Sequence, residues 1–344
     1  MESITFQHVA AIPFPCQGHI NAMMGVCKSL SSKPGHGILI TIVVTEEWLS
    51  CICGSDPSKP NDNSNNTICF ATIPNVVERE KMGDFGPFNE VVKAKMEAPV
   101  EELLDRLDPP VNRIIADFEL QWPLDLAIRK EIPIAWLWSI SAFFFLHASS
   151  LLCFHTASSF ATSLYSFFEL SSTQMDEFAV ALCSSGVRFL WVARGEASRL
   201  KETCGGDKGL VVPWCDQLRV LCHPSIGGFW SHSGWNSVQE TIYAGIPMLA
   251  FPLFLDQVPN RRKIEEDWKI GWRVKRAEIG SEILVATEDI LQHIQRFMDL
   301  ENCEGKEARK RARELKNMCD QATAKGRSFD SHLDAFVSDL LEAI

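Results

Sequence analysis

The sequence lacks several patterns that would place it in a common class at once. No G-x-G-x-x-G run follows the first apolar strand pattern, which excludes a Rossmann dehydrogenase. The 12 cysteines include no paired C-x-x-C clusters with zinc spacing, and the single C-x-C of Cys51 and Cys53 is a weak metal signal. We therefore expect no metal site and reduced, unpaired thiols.

An excess of basic residues is also missing, because the formal net charge is −11. This charge argues against nucleic acid or an anionic membrane as the main partner. Residues 1–7 lack a basic stretch followed by an apolar core, so we expect a cytoplasmic protein without a secretory signal. The apolar stretch 132–154 contains Pro133 and several polar residues, and this composition favours a buried strand and helix over a membrane span. No repeat of short period occurs.

What is present is a packed α/β pattern. The 344 residues, 46% of them hydrophobic, suffice for two medium domains, and short apolar runs alternate with helical patterns as in doubly wound domains. The first series predicts strands at 8–14, 37–45, 113–116 and 132–138, with helices at 18–30, 89–107 and 124–130. The second series predicts strands at 187–192, 209–213, 226–231 and 247–250, and helices at 172–183, 236–244, 256–268, 287–298, 304–324 and 330–341.

The strongest functional signal lies in residues 214–257. A nucleotide sugar needs a flat platform for its base, a carboxylate for its ribose, donors for its diphosphate and polar groups for its sugar. Trp214 follows a strand and can stack on a base. A helix predicted to begin near Asn236 presents N–H groups and a positive dipole end to phosphate, and Gly234 allows a close approach of the backbone.

Further polar residues extend this segment. His232, Asn236 and Ser237 add side-chain donors near the same helix start. Glu240 lies three and four residues after Ser237 and Asn236, so it shares their helical face and can reach a ribose diol. Asp256 and Gln257 follow the strand 247–250, at the strand end where ligands of α/β sheets collect.

A second group of residues lies in the N-terminal half. His19 sits in a strand-to-helix loop and can act as a general base toward a hydroxyl. Asp117 ends the strand 113–116 and can hold the imidazole in the productive tautomer. Taken alone, His19 would more often be a helix-start residue and Asp117 a helix cap. Trp230 and Trp235 likewise have core packing as an alternative interpretation.

The segment 214–257 resembles the 44-residue signature box of plant secondary-metabolite UDP-glycosyltransferases. The family pattern W-x-x-Q, H-x-G-W-N-S, E and D-Q appears in order, and 13–21 resembles the family's P-x-P-x-Q-G-H-x-N segment. The matching residues are Trp214, Cys215, Asp216 and Gln217, then His232, Ser233, Gly234, Trp235, Asn236 and Ser237, then Glu240, Asp256 and Gln257.

The resemblance implies a role for each matching residue. It implies that Trp214 stacks on uracil, that Glu240 holds the ribose, that His232, Asn236 and Ser237 bind the diphosphate, and that Trp235, Asp256 and Gln257 hold the sugar. It also implies that His19 and Asp117 form a catalytic pair, and that Ser139 matches a position, usually threonine, that touches the sugar or phosphate.

The resemblance further implies a fold and an activity. The expected fold is α/β of the GT-B type, two Rossmann-like doubly wound domains facing across a cleft. The expected domains are residues 1–157, an incomplete acceptor domain, 158–329, a UDP-sugar domain, and 330–344, a helix that packs back on the first domain. The expected activity is inverting transfer of a sugar, with glucose favoured, from a UDP-sugar to a hydroxyl of a small lipophilic acceptor such as a flavonoid. We expect a monomer with no cofactor.

The chain departs from this family in one region. It is about a hundred residues short for two complete domains and a linker, and the deficit falls between His155 and Ser172. Residues 166–169, which match the family's phosphate-contacting Gly-Ser loop, contain no glycine, and Glu169 would repel a diphosphate. Two hypotheses therefore stand: an active transferase, or a truncated relative that binds a UDP-sugar or a partner without turnover.

Overall fold

A computed structural model describes residues 7–33, 37–53, 67–76, 85–139, 171–193, 196–204, 208–253, 256–274 and 284–342. The chain divides into two compact units. Unit 1 comprises Met1–Ser139 with Ala324–Ile344, and unit 2 comprises Ile140–Thr323. The boundary predicted between residues 157 and 158 lies outside the described residues, as do the apolar stretch beyond 139 and the loop at 166–169.

Unit 1 is built on one parallel sheet of five strands in the order β3-β2-β1-β4-β5. Its strands are β1 Gln7–Ile12, β2 Ile38–Thr45, β3 Ile68–Ile73, β4 Arg113–Asp117 and β5 Ile134–Leu137. β1 and β4 are buried along their whole length, as expected for central strands covered on both faces. β5 is less covered than predicted, with Trp136 44% exposed, because it forms an edge of the sheet among the described strands.

The described residues of unit 1 also form six helices: α1 Gln17–Ser31, α2 Glu46–Cys53, α3 Phe85–Lys95, α4 Glu97–Leu104, α5 Pro123–Arg129 and, from the end of the chain, α13 Ser328–Glu342. The single helix predicted at 89–107 is wrong, because the structure has two helices separated at Met96. Pro99 has no N–H to donate to the carbonyl of Lys95, so the hydrogen-bond series breaks at this point.

The last helix, α13, belongs to the hydrophobic core of unit 1. Val337 is buried in a cluster with β1, β2 and α1 residues, and Leu333 and Phe336 pack against it. Lys33, just after α1, forms an ion pair with Asp334 at 2.6 Å and another with Asp330. Both carboxylates raise the pKa of Lys33, and Lys33 lowers the pKa of Asp330.

Unit 2 contains the remaining elements of the described ranges. Its strands are β6 Phe189–Val192, β7 Gly209–Val212, β8 Phe229–Ser231, β9 Met248–Ala250 and β10 Gly271–Arg273. Its helices are α6 Ser172–Ser184, α7 Ala197–Cys204, α8 Gln217–Leu221, α9 Trp235–Ala244, α10 Gln257–Arg262, which continues as a π-helical turn at Lys263–Asp267, α11 Thr287–Met298 and α12 Cys303–Thr323. The cap of α6 is Ser171, whose side chain accepts a bond from the Gln174 N–H.

The described strands of unit 2 form two separate parallel groups, β6-β7 and β8-β9-β10. A doubly wound domain has the strand order 3-2-1-4-5-6, which would place one further parallel strand between β6 and β8. The described residues of unit 2 contain no such strand. A cavity of about 480 Å³ is lined instead by residues of β6 and β8.

No helix within the described ranges is long and apolar enough to cross a membrane.

Candidate functional site

The catalytic pair predicted in unit 1 lies at the switch point of its sheet. Chain connections run from β1 through β2 to β3 on one side, whereas β4 and β5 lie on the other. Ligands of open α/β sheets bind outside the carboxyl ends of the strands at such a point. His19 follows β1 at the start of α1, and Asp117 is the last residue of β4. Their Nδ1 and Oδ2 atoms are 2.8 Å apart.

The environment of this pair fixes both partners. Asp117 is fully buried, and its second oxygen, Oδ1, accepts the Glu119 N–H at 3.1 Å. The centroid of the His19 ring lies 5.3 Å from that of Phe14 and 6.2 Å from that of Phe118, whose ring is inclined to it by 26°. A carboxylate facing Nδ1 is an acceptor only, so Nδ1 carries the proton and Nε2 keeps a lone pair. The arrangement can therefore remove a proton at Nε2.

Ser139, predicted to touch the sugar or phosphate, also lies at this pair. Its hydroxyl oxygen is 2.8 Å from the same His19 Nδ1 atom that faces Asp117. Ser139 follows β5 and is 7% exposed. The structure thus brings His19, Asp117 and Ser139 together within unit 1.

Glu119 is a member of this group that the sequence interpretation missed. Burial raises the pKa of its carboxyl, Asp117 raises it further, and His19 opposes the shift. A carboxyl group two residues after a strand-end aspartate was the available signal, but most such acids are solvated.

The start of α9 forms the centre of the second predicted group, in unit 2. Gly234 is the N-cap of α9, and a Cβ atom built at this position would lie 2.4 Å from His232 Nε2. Glycine is therefore required for the exposed His232 ring to occupy its place. Ser233 has a φ of 67°, an uncommon conformation for a residue other than glycine that often accompanies binding sites.

Glu240 lies one turn further along α9 and is held by Gln217. Gln217 Nε2 donates to Glu240 Oε2 at 2.6 Å and to Ser237 Oγ at 3.3 Å. Burial raises the pKa of Glu240, the bond from Gln217 lowers it, and Asp216 raises it. A half-buried, oriented carboxylate of this kind is suited to accept bonds from a pair of hydroxyl groups.

Trp214 follows β7 and is 60% exposed. A largely exposed indole at the carboxyl end of a strand offers a flat face for stacking. Asp216, two residues on, caps α8 by accepting the Arg219 N–H at 3.1 Å. The cap orients α8, on which Gln217 is the first residue.

Asp256 and Gln257 lie at the start of α10 and are buried. Asp256 Oδ2 accepts a bond from Asn260 Nδ2 at 2.9 Å, and Gln257 Oε1 accepts the Leu253 N–H at 2.8 Å. Asn260 Nδ2 also donates to the carbonyl of Ser233 at 3.0 Å, which ties α10 to the loop before α9. Asn260 was missed, although its i, i+4 spacing from Asp256 was a usable signal.

The two tryptophans of this segment contact the core. Trp230 packs against Phe178 and Phe251, with ring centroids 4.7 Å and 6.5 Å away. Trp235 packs against the cluster that contains Val238 and Met248. Trp230 therefore packs in the core, as its alternative interpretation predicted, and part of the Trp235 side chain also packs against core residues.

Four of the predicted residues, Cys215, Gln217, His232 and Ser237, line the 480 Å³ cavity of unit 2. Most of its other lining residues are apolar. Trp214, Glu240, Asp256 and Gln257 are not part of that lining, so the cavity holds only some of the predicted donor residues and meets the start of α9 at His232 and Ser237. The described residues contain no group of three or more His, Cys, Asp or Glu side chains that could hold a metal ion.

Comparisons with known proteins point to one family. The profile of the UDP-glucoronosyl and UDP-glucosyl transferase family matches residues 161–299. UDP-glycosyltransferase 87A2 of Arabidopsis thaliana is 36% identical over 447 aligned positions, which cover 96% of each chain. UDP-glycosyltransferase 87A1 of the same plant is 33% identical and covers 97% of this chain and 100% of its own.

Solved structures agree with this in fold. Os79 from O. sativa, crystallised with U2F and trichothecene, aligns with a TM-score of 0.78 at 20% identity, over 96% of this chain and 100% of its own. UGT71G1 of Medicago truncatula, crystallised with UDP-glucose, aligns with a TM-score of 0.76 at 18% identity, over 98% and 99%.

Proposed function

Because this chain belongs to the UDP-glycosyltransferase family and has its GT-B α/β fold, we propose that it transfers glucose from UDP-glucose to a hydroxyl of a small lipophilic acceptor, with inversion. The observation that carries the proposal is the contact between His19 Nδ1 and the buried Asp117 carboxylate. A base with a fixed tautomer is what activation of a neutral hydroxyl needs.

The proposed chemistry begins at His19. Its Nε2 removes the proton of the acceptor hydroxyl while Asp117 stabilises the imidazolium that forms. The acceptor oxygen attacks the anomeric carbon from the face opposite the diphosphate, the bond from that carbon to the diphosphate breaks, and the configuration inverts. UDP leaves with the electron pair of that bond. A flavonoid is one acceptor with a hydroxyl of this kind.

The donor is proposed to lie along the start of α9. Trp214 stacks on the uracil, and Glu240, held by Gln217, accepts bonds from the ribose hydroxyls. His232, Asn236 and Ser237 bind the diphosphate at the positive end of the α9 dipole, where Gly234 permits a close approach. Cys215 lies beside Trp214, and Trp235, Asp256 and Gln257 are assigned to the sugar.

The test is turnover of UDP-glucose with a panel of phenolic acceptors, measured beside calorimetric binding of UDP. We expect glucoside formation, with the anomeric configuration of the product read by NMR. Product with a retained configuration would overturn the proposed mechanism. UDP binding without any product would favour the second candidate.

That second candidate is a relative that binds UDP-sugar without turnover. The observation that favours it is the alignment with the 87A2 relative, whose 447 positions exceed the 344 residues of this chain by 103. At least that many positions of the relative therefore face a gap here. Adding the corresponding segment of the relative should restore turnover if its loss is the cause.

A further inference from the structure

We propose that Ser139 is a positioning residue for His19, acting through the same Nδ1 atom that Asp117 holds, rather than a contact for the sugar. The proposal deepens the proposed function, on which its kinetic part rests. It starts from one geometric fact: Asp117 Oδ2 and Ser139 Oγ each lie 2.8 Å from His19 Nδ1.

Only one hydrogen bond can lie along the in-plane orbital of Nδ1, which holds either a proton or a lone pair. With Asp117 ionised, a lone pair at Nδ1 would face a negative oxygen, so the proton resides on Nδ1. The Ser139 oxygen then acts as a second acceptor of the same N–H. The carboxylate thus decides the tautomer, whereas the hydroxyl adds a second anchor for the ring.

The burial of the group supports this division. Asp117 is 0% and Ser139 7% exposed, whereas the His19 side chain is 15% exposed. The anchors are therefore shielded from water, and the ring retains some access to solvent. Phe14 and Phe118 contact the imidazole as well, so the ring is restrained by aromatic neighbours and by two oxygen atoms.

This geometry gives Ser139 control of the His19 tautomer when Asp117 is removed. Without the carboxylate, the Ser139 hydroxyl can donate a hydrogen bond to the lone pair of Nδ1, which favours the tautomer with its proton on Nε2. That tautomer has no lone pair at Nε2 and cannot act as the base. Asp117→Ala should therefore show the Nε2–H form, and Asp117→Ala combined with Ser139→Ala should show a mixture of both forms.

The experiment reads the two ring nitrogens of His19 by 15N NMR in the full chain. His8 serves as an internal control, because it lies on β1 of the same unit, with Nε2 2.8 Å from Thr41 Oγ1 and Nδ1 2.6 Å from the Pro109 carbonyl. Its signals should stay in place in every variant. Identical His19 patterns in the single and double variants, with His8 unchanged, would overturn the proposal.

Kinetics supply a second, separate readout. Ser139→Ala should lower kcat by roughly two- to tenfold, the effect of losing one hydrogen bond, with the KM for UDP-glucose unchanged. Ser139→Thr, which keeps the hydroxyl, should restore kcat. A raised KM for UDP-glucose with unchanged kcat would show a sugar contact and refute the positioning role.

The two readouts keep the inference separate from the proposed function. If the wild-type chain has no turnover yet the tautomer moves as expected, the proposed function fails and the inference stands. If turnover is present and the tautomer does not respond to Ser139, the inference fails alone. Should the double variant disturb His8, Asp117→Ala is combined instead with Ser139→Thr, which keeps the hydroxyl, and with Ser139→Val, which matches threonine in shape without it. The Nε2–H form is expected to dominate only with threonine, and the same tautomer pattern in both contradicts the proposal.

Discussion

In unit 1, the predicted catalytic residues lie at the end of a continuous five-stranded sheet. In unit 2, the described strands form two separate sheets beside a cavity. In unit 1, His19, Asp117 and Ser139 follow β1, β4 and β5, so the sheet itself brings them together. In unit 2, Gln217 and Glu240 meet because α8 and α9 pack together and Gln217 bonds to Glu240. A functional group can thus be placed by strand order or by helix contacts.

This difference predicts that a substitution in one unit impairs only the step assigned to that unit. Of the changes proposed, His19→Ala should give the largest effect. Loss of a general base lowers the rate by roughly 10²–10⁴-fold. UDP affinity, which the proposed donor site assigns to unit 2, should remain that of the wild type. Steady-state kinetics measure the rate and calorimetry measures the UDP affinity of the same variant. A simultaneous loss of UDP binding would contradict the separation of the two sites.

Trp214→Ala is the reciprocal change in unit 2. Loss of base stacking should weaken UDP binding by roughly 1–3 kcal/mol, while the His19 ring signals in NMR stay unchanged. Trp136→Ala is a matched control, because that indole is also exposed, at 44%, but belongs to unit 1. Equal UDP affinity for wild type and Trp214→Ala would show that Trp214 does not stack on the uracil.

Glu240→Gln should have two opposite effects. Its lost carboxylate should weaken UDP binding by roughly 10- to 150-fold, the range for a hydrogen bond to a charged group, whereas folding stability at neutral pH should rise. The sign follows from the raised pKa: the folded state disfavours the ionised form, so wild-type stability falls as pH rises from the unfolded pKa to the folded one. Urea unfolding across that pH range should show a flatter profile for the variant.

Glu119→Gln should produce the smallest change and complete the comparison in unit 1. Burial raises the pKa of Glu119, so the charged form costs stability above its ordinary pKa. The amide should raise the unfolding midpoint by about a few degrees at neutral pH and should not alter UDP binding. A variant that unfolds at a lower temperature would mean that the carboxylate makes a net favourable contact.

Much of the fold could be predicted because its periodic segments are long. The helix at 287–298 was placed to the residue, and α1 and β2 within one residue. β10 was missed because its three residues are too few to show a period, and α8, with five residues, is short for the same reason. The pattern at 68–73 gave no alternation that would identify β3.

The candidate site also contains contacts that could be expected from the sequence and contacts that could not. The pairing of His19 with Asp117 was expected from the family resemblance, and their positions at the carboxyl ends of strands made it feasible. The contact of Ser139 with His19 could not be predicted, because it depends on which strand lies beside β4. Likewise, the packing of Trp230 against Phe178 and Phe251 depends on contacts between elements distant in sequence.

The position of α13 has a consequence for the order in which the protein forms on the ribosome. Val337 completes a core built on β1 and β2, yet all of unit 2, Ile140–Thr323, is synthesised in between. At about 5–20 residues per second, roughly 10–40 s pass before α13 is made. During that interval the nascent chain carries an uncovered apolar surface on unit 1, so the core around β1 and β2 is completed only after unit 2 has been made.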